Sequence, residues 1–255
     1  MDFPLTLHFF GRSLSLHFIF ETLAFVIGFR YFLYLKRNKQ SEISSSNYIW
    51  ILIGASFGAL ICSRLLGALE RPDIFFSDQM NLFYLYTNKT IVGGLLGGLF
   101  GVELTKKLIG EKESSGDLMT YPLILAIMIG RIGCFSMGIH EETYGIATNL
   151  PWGMNLGDGL LRHPVALYEI FFLLFLWLSL KKIKNRIELQ NGVLFKLFMI
   201  GYLLFRFILE FIKPSYINSF NLSTIQVACL LGLIYYFCTI YNLLFDITTL
   251  RKQNG

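Results

Sequence analysis

The amino-acid sequence predicts an all-α integral membrane protein with seven transmembrane helices, its N-terminus outside and its C-terminus in the cytoplasm. Three observations predict this. Of 255 residues, 54% are hydrophobic and 16% aromatic, but only 15% are charged, whereas a soluble domain carries nearer a quarter. The apolar residues form long continuous runs instead of alternating, which excludes a β-barrel. The basic residues gather in short clusters between those runs, as they do in membrane topology signals.

A helix needs about 20 apolar residues to cross the hydrocarbon core. Within lipid the backbone must satisfy its own hydrogen bonds, so the runs are read as helices. They lie at about 16–35, 48–67, 90–108, 118–138, 164–180, 193–212 and 222–245. The first is expected to be retained, because it lacks the basic n-region and small-residue cleavage site of a secretory signal. The third is rich in glycine, at Gly93, Gly94, Gly97, Gly98 and Gly101. Small residues let helix backbones approach closely; a second reading has Gly93 and Gly94 opening room for a lipid headgroup. The fifth run is short and opens at Pro164, which suits a first helical turn. The sixth carries Arg206 and Glu210, four apart and hence on one helix face. Two segments depart from simple spanning. Residues 68–89, with Glu70, Asp73 and Asp78 among many aromatics, suit an interfacial segment on the outer surface. Residues 139–163 form the longest outer loop. With no internal repeat and no soluble insert, residues 1–255 read as a single polytopic membrane domain.

Orientation follows from Lys and Arg. One set of connections carries Lys36, Arg37, Lys39, Lys106, Lys107, Lys112, Lys181, Lys182, Lys184 and Arg186, and the tail adds Arg251 and Lys252, twelve in all. The opposite side carries six, Arg12, Arg64, Arg71, Lys89, Arg162 and Lys213. The positive-inside rule makes the richer side cytoplasmic. The net charge of +5 does not point to nucleic acid, since no basic run is interleaved with exposed aromatics. Cys62, Cys134, Cys229 and Cys238 show neither CxxC nor Cys/His spacing, so no disulfide framework, metal site or cofactor is expected.

An ionisable residue inside a membrane is costly and therefore a functional candidate. Glu21 lies early in the inward-running first helix. Arg131 lies late in the fourth, Arg206 and Glu210 late in the sixth, and Arg162 and His163 open the fifth. Six ionisable groups from four helices thus fall in one layer near the outer surface. A local Arg206–Glu210 ion pair and a snorkelling Arg162 are the bland readings of single residues; the coincidence of the set argues for a site. Arginine is a planar, permanent cation that matches phosphate oxygens, so the layer suits capture of an anionic membrane phospholipid. His140, Glu141 and Glu142 read by default as a solvated loop cluster.

These residues also resemble a known family, the prolipoprotein diacylglyceryl transferases. Gly130-Arg131-Ile132-Gly133-Cys134-Phe135 resembles its signature beginning G-R-x-G-N-F. Tyr144-Gly145, Leu150-Pro151-Trp152-Gly153-Met154 and Arg162-His163-Pro164 with Leu167-Tyr168-Glu169 resemble its outer loop and next helix. Arg206 to Phe211 resembles R-x-x-x-E-F, Gly93 to Gly97 resembles H-G-G-L-x-G, and Gln226 falls where the last helix carries a glutamine. The matches keep the family's order over about residues 20–240. The resemblance implies an enzyme of the bacterial inner membrane, multi-pass, with its site toward the extracytoplasmic side. Such an enzyme moves the diacylglyceryl group of phosphatidylglycerol onto the lipobox cysteine of a prolipoprotein signal peptide, forming a thioether and releasing glycerol phosphate. It implies catalytic roles for Arg131, Arg206, Glu210 and His163, and substrate contacts for Gly93, Gly94, Cys134, Glu141, Tyr144, Gly145, Arg162 and Glu21. Three positions depart from the pattern. Val92 stands where the family has a histidine, Cys134 where it has asparagine, and the signature's later Asn and Glu are out of register. Glu141 or Glu142 is then the stand-in for the glutamate, and His163, adjoining Arg162, is a better stand-in for the histidine than His140. Two other classes remain: a silent relative that binds anionic phospholipid, and a small transporter. The transporter is disfavoured, because the charges stay near one surface and no paired interrupted helices are seen.

Overall fold

The computed structural model describes residues 3–9, 12–38, 43–75, 82–217 and 221–245, and it is mostly helical, at 72%. Lys39, Asp78, Arg251 and Lys252, and the side chain of Arg12, lie outside what is described. Each of the seven apolar runs is helical. In chain order these helices are α1 (Leu16–Asn38), α2 (Ser45–Ala68), α5 (Ile91–Ile109), α6 (Asp117–Met137), α7 (Val165–Arg186), α8 (Val193–Leu209), and α9 (Thr224–Tyr235) followed by α10 (Phe237–Phe245). Two short helices, α3 (Pro72–Phe75) and α4 (Leu82–Thr87), occupy part of the 68–89 segment. By length and hydropathy, three helices among the described residues qualify as membrane spans: Leu16–Asn38, Ser45–Ala68 and Asp117–His140. The α9–α10 pair, bent by 63°, makes a fourth if it is one span. The remaining helices miss that standard for visible reasons. α8 has only 17 residues, while α5 includes Glu103, Lys106 and Lys107, and α7 includes Glu169, Lys181 and Lys182.

Two small antiparallel ribbons add to the all-α expectation. Strands β1 (Thr6–Phe9) and β2 (Arg12–Ser15) pair before α1, and β3 (Met154–Asn155) pairs with β4 (Leu161–Arg162) in the long loop. Both lie outside the apolar runs, where turn-forming polar residues let the backbone pair locally.

The chain groups into two compact units, each discontinuous in sequence. The first comprises Met1–Gln40, Gly116–Leu189 and Phe211–Pro214. In it α6 packs against both α1 and α7. Small residues set the α1–α6 spacing: a Cβ on Gly28 would sit 2.9 Å from Ala126 Cβ, and one on Gly133 would sit 3.1 Å from both His17 O and Phe20 Cβ. These two contacts, 28 with 126 and 17 with 133, make the helices antiparallel. Gly138 ends α6 at φ +58°, pressed against Phe3 and the Leu156 carbonyl, a place open only to glycine. The β1–β2 ribbon is tied down there by Leu5 N donating to Ser136 O at 2.8 Å.

The second unit comprises Ser41–Ser115, Gln190–Glu210 and Ser215–Gly255. Here α2 and α5 form its most extensive pairing. Gly54 and Gly58 face Gly97 and Gly101 so closely that a Cβ on Gly97 would overlap the Gly58 carbonyl and Cys62 Cβ. Thr90 caps α5 by accepting from Gly93 N at 3.0 Å, and Gly110, at φ +72°, ends it. Ser223 and Gln226 make a reciprocal capping box at the start of α9. Gln226 Nε2 also donates to Phe207 O at 3.4 Å, so this glutamine is accounted for by helix capping.

The glycine seam makes a graded prediction. Gly97→Ala should destabilise the protein by about 1–3 kcal/mol, the usual cost of overpacking. Gly98→Ala, whose new Cβ would find nothing nearer than Ala55 O at 3.5 Å, should be close to neutral. Thermal unfolding in detergent would compare them, and equal melting temperatures for both variants would remove the seam as a determinant of stability.

Candidate functional site

Around the last turn of α6, the first unit gathers four of the expected residues and one that was not expected. Arg131 is 7% exposed, and the side chain of its partner Glu169 on α7 is fully buried. Arg131 Nε lies 2.8 Å from Glu169 Oε2. One turn on, Arg131 Nη1 donates to Cys134 Sγ at 3.5 Å, and the Cys134 thiol donates to Glu141 Oε1 at 3.5 Å. Glu141 follows a short 3-10 turn, Gly138–His140, that reverses the chain at the end of α6. The unexpected residue is His17, in the first turn of α1. Its Nδ1 lies 3.1 Å from Glu141 Oε2, and its Nε2 lies 3.5 Å from Glu21 Oε2. Burial alone would raise the Glu141 carboxyl. The His17 imidazole beside it, helped by the Arg131 charge and the Cys134 thiol, outweighs that and holds it below the usual carboxylate range. Donor atoms of His17, Cys134 and Glu141 all lie within 4.8 Å of one another. Local ligand spacing, on which the expectation of no metal site rested, does not test such a grouping, because His17 and Cys134 lie more than a hundred residues apart in the chain.

The sequence did hold a signal for His17. Its spacing to Glu21 is the same four residues that put Arg206 and Glu210 on one helix face. Glu169 entered only as part of a motif, and its role as the counter-charge of Arg131 emerges from the packing of α7 on α6.

The outer loop builds a second cluster in the same unit. Arg162 donates through Nε to Asp158 Oδ2 at 2.7 Å and through Nη1 to Gly145 O at 3.3 Å. Its guanidinium lies 5.0 Å from the centre of the Tyr144 ring. Gly145 has no room for a side chain, since a Cβ would come within 2.5 Å of His163 Cβ. His163 Nδ1 lies 3.1 Å from Tyr168 Oη. Trp152 Nε1 donates to the same hydroxyl at 2.9 Å, which lets that hydroxyl donate to the imidazole in turn. His163 is therefore half-buried and held by Tyr168, whereas His140 is exposed at the end of its 3-10 turn. A narrow crevice is lined by Cys134, Tyr144 and Pro164 among others, which connects this loop to the end of α6.

In the second unit, Arg206 and Glu210 are both buried. Arg206 Nη2 donates to Glu210 Oε2 at 3.4 Å, and Ser215 Oγ donates to Glu210 Oε1 at 2.5 Å. Of the paired glycines, Gly93 packs against α2, where a Cβ would lie 2.5 Å from Cys62 O. Gly94 has only Ser63 Cβ within reach, at 3.8 Å. Val92 is 1% exposed, an aliphatic core position.

Two measurements bear on this geometry. Breaking a buried ion pair from one side typically costs about 3–5 kcal/mol, so Glu169→Ala should lower the unfolding temperature sharply, whereas Glu142→Ala, at an exposed position, should not. A small effect at Glu169 would mean that Arg131 is held by other partners. In the loop, Arg162 holds the Asp158 carboxyl below the usual range. A depressed carboxylate contributes stability above its unfolded pKa and loses it as pH falls through the folded value. With Trp50 and Trp177 replaced, Trp152 fluorescence should hold steady from about pH 7 to pH 5 and change only below about pH 4. Asp158→Asn should abolish that acid transition.

Comparison with known proteins gives a consistent answer. The family model described as Prolipoprotein diacylglyceryl transferase matches residues 4–244. Proteins named phosphatidylglycerol–prolipoprotein diacylglyceryl transferase are similar over most of their length. The one from Wolbachia of Drosophila simulans (strain wRi) is 32% identical, covering 76% of this chain and 78% of its own. The one from Wolbachia pipientis of Culex pipiens is 31% identical, covering 84% and 88%. The Campylobacter hominis protein is 28% identical, covering 98% and 94%. With a match that runs through the ribbon, α6, the outer loop and every apolar run, the chain belongs to the prolipoprotein diacylglyceryl transferase family.

Proposed function

We propose that this protein transfers the diacylglyceryl group of phosphatidylglycerol to the lipobox cysteine of a prolipoprotein, at the extracytoplasmic face of a bacterial inner membrane. The observation that carries the reading is Arg131. It is a buried guanidinium, oriented by a fully buried carboxylate and set beside a polar cluster at the end of a membrane helix, in a chain of this family. The leaving group is a phosphate monoester, and charge that develops in the transition state is stabilised best by donors fixed beforehand. Glu169 fixes the plane of Arg131 for that task. In the second unit, taken by itself, Arg206 held by Glu210 offers a guanidinium suited to phosphate, and Gly94 leaves space beside α5 while Gly93 is closed off by α2. Tyr144, Gly145 and Arg162 form the wall of the outer loop, and Cys134, Glu141 and Glu21 orient polar groups beside Arg131.

The membrane disposition that goes with this reading has seven spans, with α9 and α10 forming one bent span, N-terminus outside and C-terminus inside. It is supported by the twelve-to-six split of basic residues. Reporter fusions after residues 40, 112 and 186 should report the cytoplasm, and a fusion near residue 148 the outside. An inside signal at 148 would reverse the orientation.

Thiol activation has to come from somewhere other than position 92. Unperturbed cysteine has a pKa of about 8.5, so little thiolate exists at neutral pH. Among the described residues, His163 and His17 are the half-buried histidines of the first unit. His17 stands in the Arg131 cluster, so His17→Gln should slow transfer near neutral pH more than His163→Gln. A loss at His163 should shrink as pH approaches the thiol's own pKa. Equal, pH-independent rates would make both histidines structural.

The decisive assay incubates purified protein with phosphatidylglycerol and a lipobox peptide and looks for the modified cysteine by mass spectrometry. Arg131→Lys keeps the charge but loses the planar fork. Loss of one charge-assisted contact, about 1.5–3 kcal/mol, should slow transfer roughly ten- to a hundredfold. Val92 favours one second reading, a silent relative that only binds anionic phospholipid. Phosphatidylglycerol binding with no modified peptide would decide for it.

A further inference from the structure

His17 and Glu141 present a local anomaly. His17 Nδ1 and Glu141 Oε2 are 3.1 Å apart, yet both are buried atoms that lack a well-directed hydrogen bond among the described residues. Cys134 Sγ, 3.5 Å from Glu141 Oε1, completes a set of one nitrogen, one sulfur and one oxygen donor. Tetrahedral zinc, with bonds of about 2.0–2.3 Å to these atom types, places its ligands roughly 3.3–3.6 Å from one another. The carboxylate of Glu141 lies 3.1 Å from His17 Nδ1 through one oxygen and 3.5 Å from Cys134 Sγ through the other. Donor atoms of all three residues lie within 4.8 Å of one another, close enough for small side-chain adjustments to reach that spacing. Hard cations such as calcium and magnesium take oxygen ligands, and copper(I) prefers all-sulfur surroundings; the mixed set suits zinc. Glu21, 3.5 Å from His17 Nε2, stands where a carboxylate orients a metal-bound imidazole through its other ring nitrogen. Arg131 contacts the Cys134 sulfur, but its charge is already balanced by Glu169, so it does not oppose a cation.

We propose that His17, Cys134 and Glu141 form a three-ligand zinc site whose open fourth position receives the lipobox cysteine. The proposal rests on the transferase reading and deepens it by naming what activates the thiol. A zinc with three protein ligands keeps a position for substrate, and a coordinating thiol is deprotonated outright. As the Zn–S bond forms, the peptide thiol gives its proton to water at the outer surface. The sulfur then attacks the glyceryl carbon that bears the phosphate. The S–C bond forms and that carbon's C–O bond breaks. The electron pair departs with glycerol phosphate, whose added negative charge faces Arg131. No oxidant or reductant is needed. The site also gives a chemical reason for the pair of departures in this chain: the histidine absent at Val92 is not required once a metal ionises the thiol, and Cys134 in place of asparagine supplies a ligand.

The test begins with metal binding, independent of turnover. Protein stripped with a chelator and titrated with zinc against a chromophoric competitor should bind one equivalent per chain. Cys134→Asn and His17→Gln should abolish stoichiometric binding, and Glu21→Gln should weaken it about tenfold. Cobalt(II) in place of zinc should show a thiolate-to-metal charge-transfer band. That band should grow when a lipobox peptide is added, and stay unchanged with the same peptide carrying serine for cysteine. Absence of stoichiometric zinc, or identical cobalt spectra with the two peptides, overturns the proposal. Peptide modification by the stripped protein would then leave the transferase reading standing without a metal. Zinc and the cysteine-dependent spectral change without any modified peptide would uphold the site and remove the transferase reading instead.

Discussion

The close crossing of α1 over α6 decides what can stand beside Arg131. Lipid offers no hydrophobic driving force between helices, so helices associate through van der Waals contact and small residues at the seam. Gly28 meets Ala126 at one end of this pair and Gly133 meets His17 and Phe20 at the other. With both points pinned and the helices antiparallel, the first turn of α1 must lie against the last turn of α6. His17 then has no place to go except beside Cys134 and Glu141. A side chain at position 133 would push the backbones apart and open the cluster, although Gly133 itself touches none of the chemistry.

The second constraint is electrostatic. Arginine cannot shed its charge, so its burial demands a counter-charge held nearby. Glu169 supplies it from the second turn of α7, fully buried, and thereby joins α7 to α6 just where the outer loop begins and ends. The same loop is closed by Gly145 against His163 and by Ile146 N donating to Ile212 O at 2.9 Å. The pair constrains the rotation of α7 about its axis, and with it the plane of the Arg131 guanidinium.

Seen this way, the departures from the family pattern lie on different elements with a shared consequence. Position 92, on α5, has become a packed valine. At the end of α6 a cysteine and a glutamate converge with a histidine from α1. The arginine and its counter-carboxylate remain a buried pair at the end of the same helix.

Much of this was legible in the sequence. Long apolar runs announced the helical segments, because a helix in lipid is specified locally by length and hydropathy. All seven runs are helical, the last as two helices, and three or four of them qualify as spans among the described residues. The buried charges Arg131, Arg206 and Glu210 were legible for the same reason: a charge in an apolar run is visible without knowledge of its neighbours. The Arg206–Glu210 pairing was readable too, since it is a repeat of one helical turn. His17 was readable only in part, through its spacing to Glu21. Its contact with Glu141, the Arg131–Glu169 pair and the meeting of three ligand types join residues 17, 131, 134, 141 and 169. Sequence by itself determined which segments are helices and which of them carry charge, because those properties are set within a turn or two of chain. Tertiary structure alone decided which charges of different elements meet, because that depends on how closely two helices approach, and between α1 and α6 the approach is set by the absence of side chains at Gly28 and Gly133.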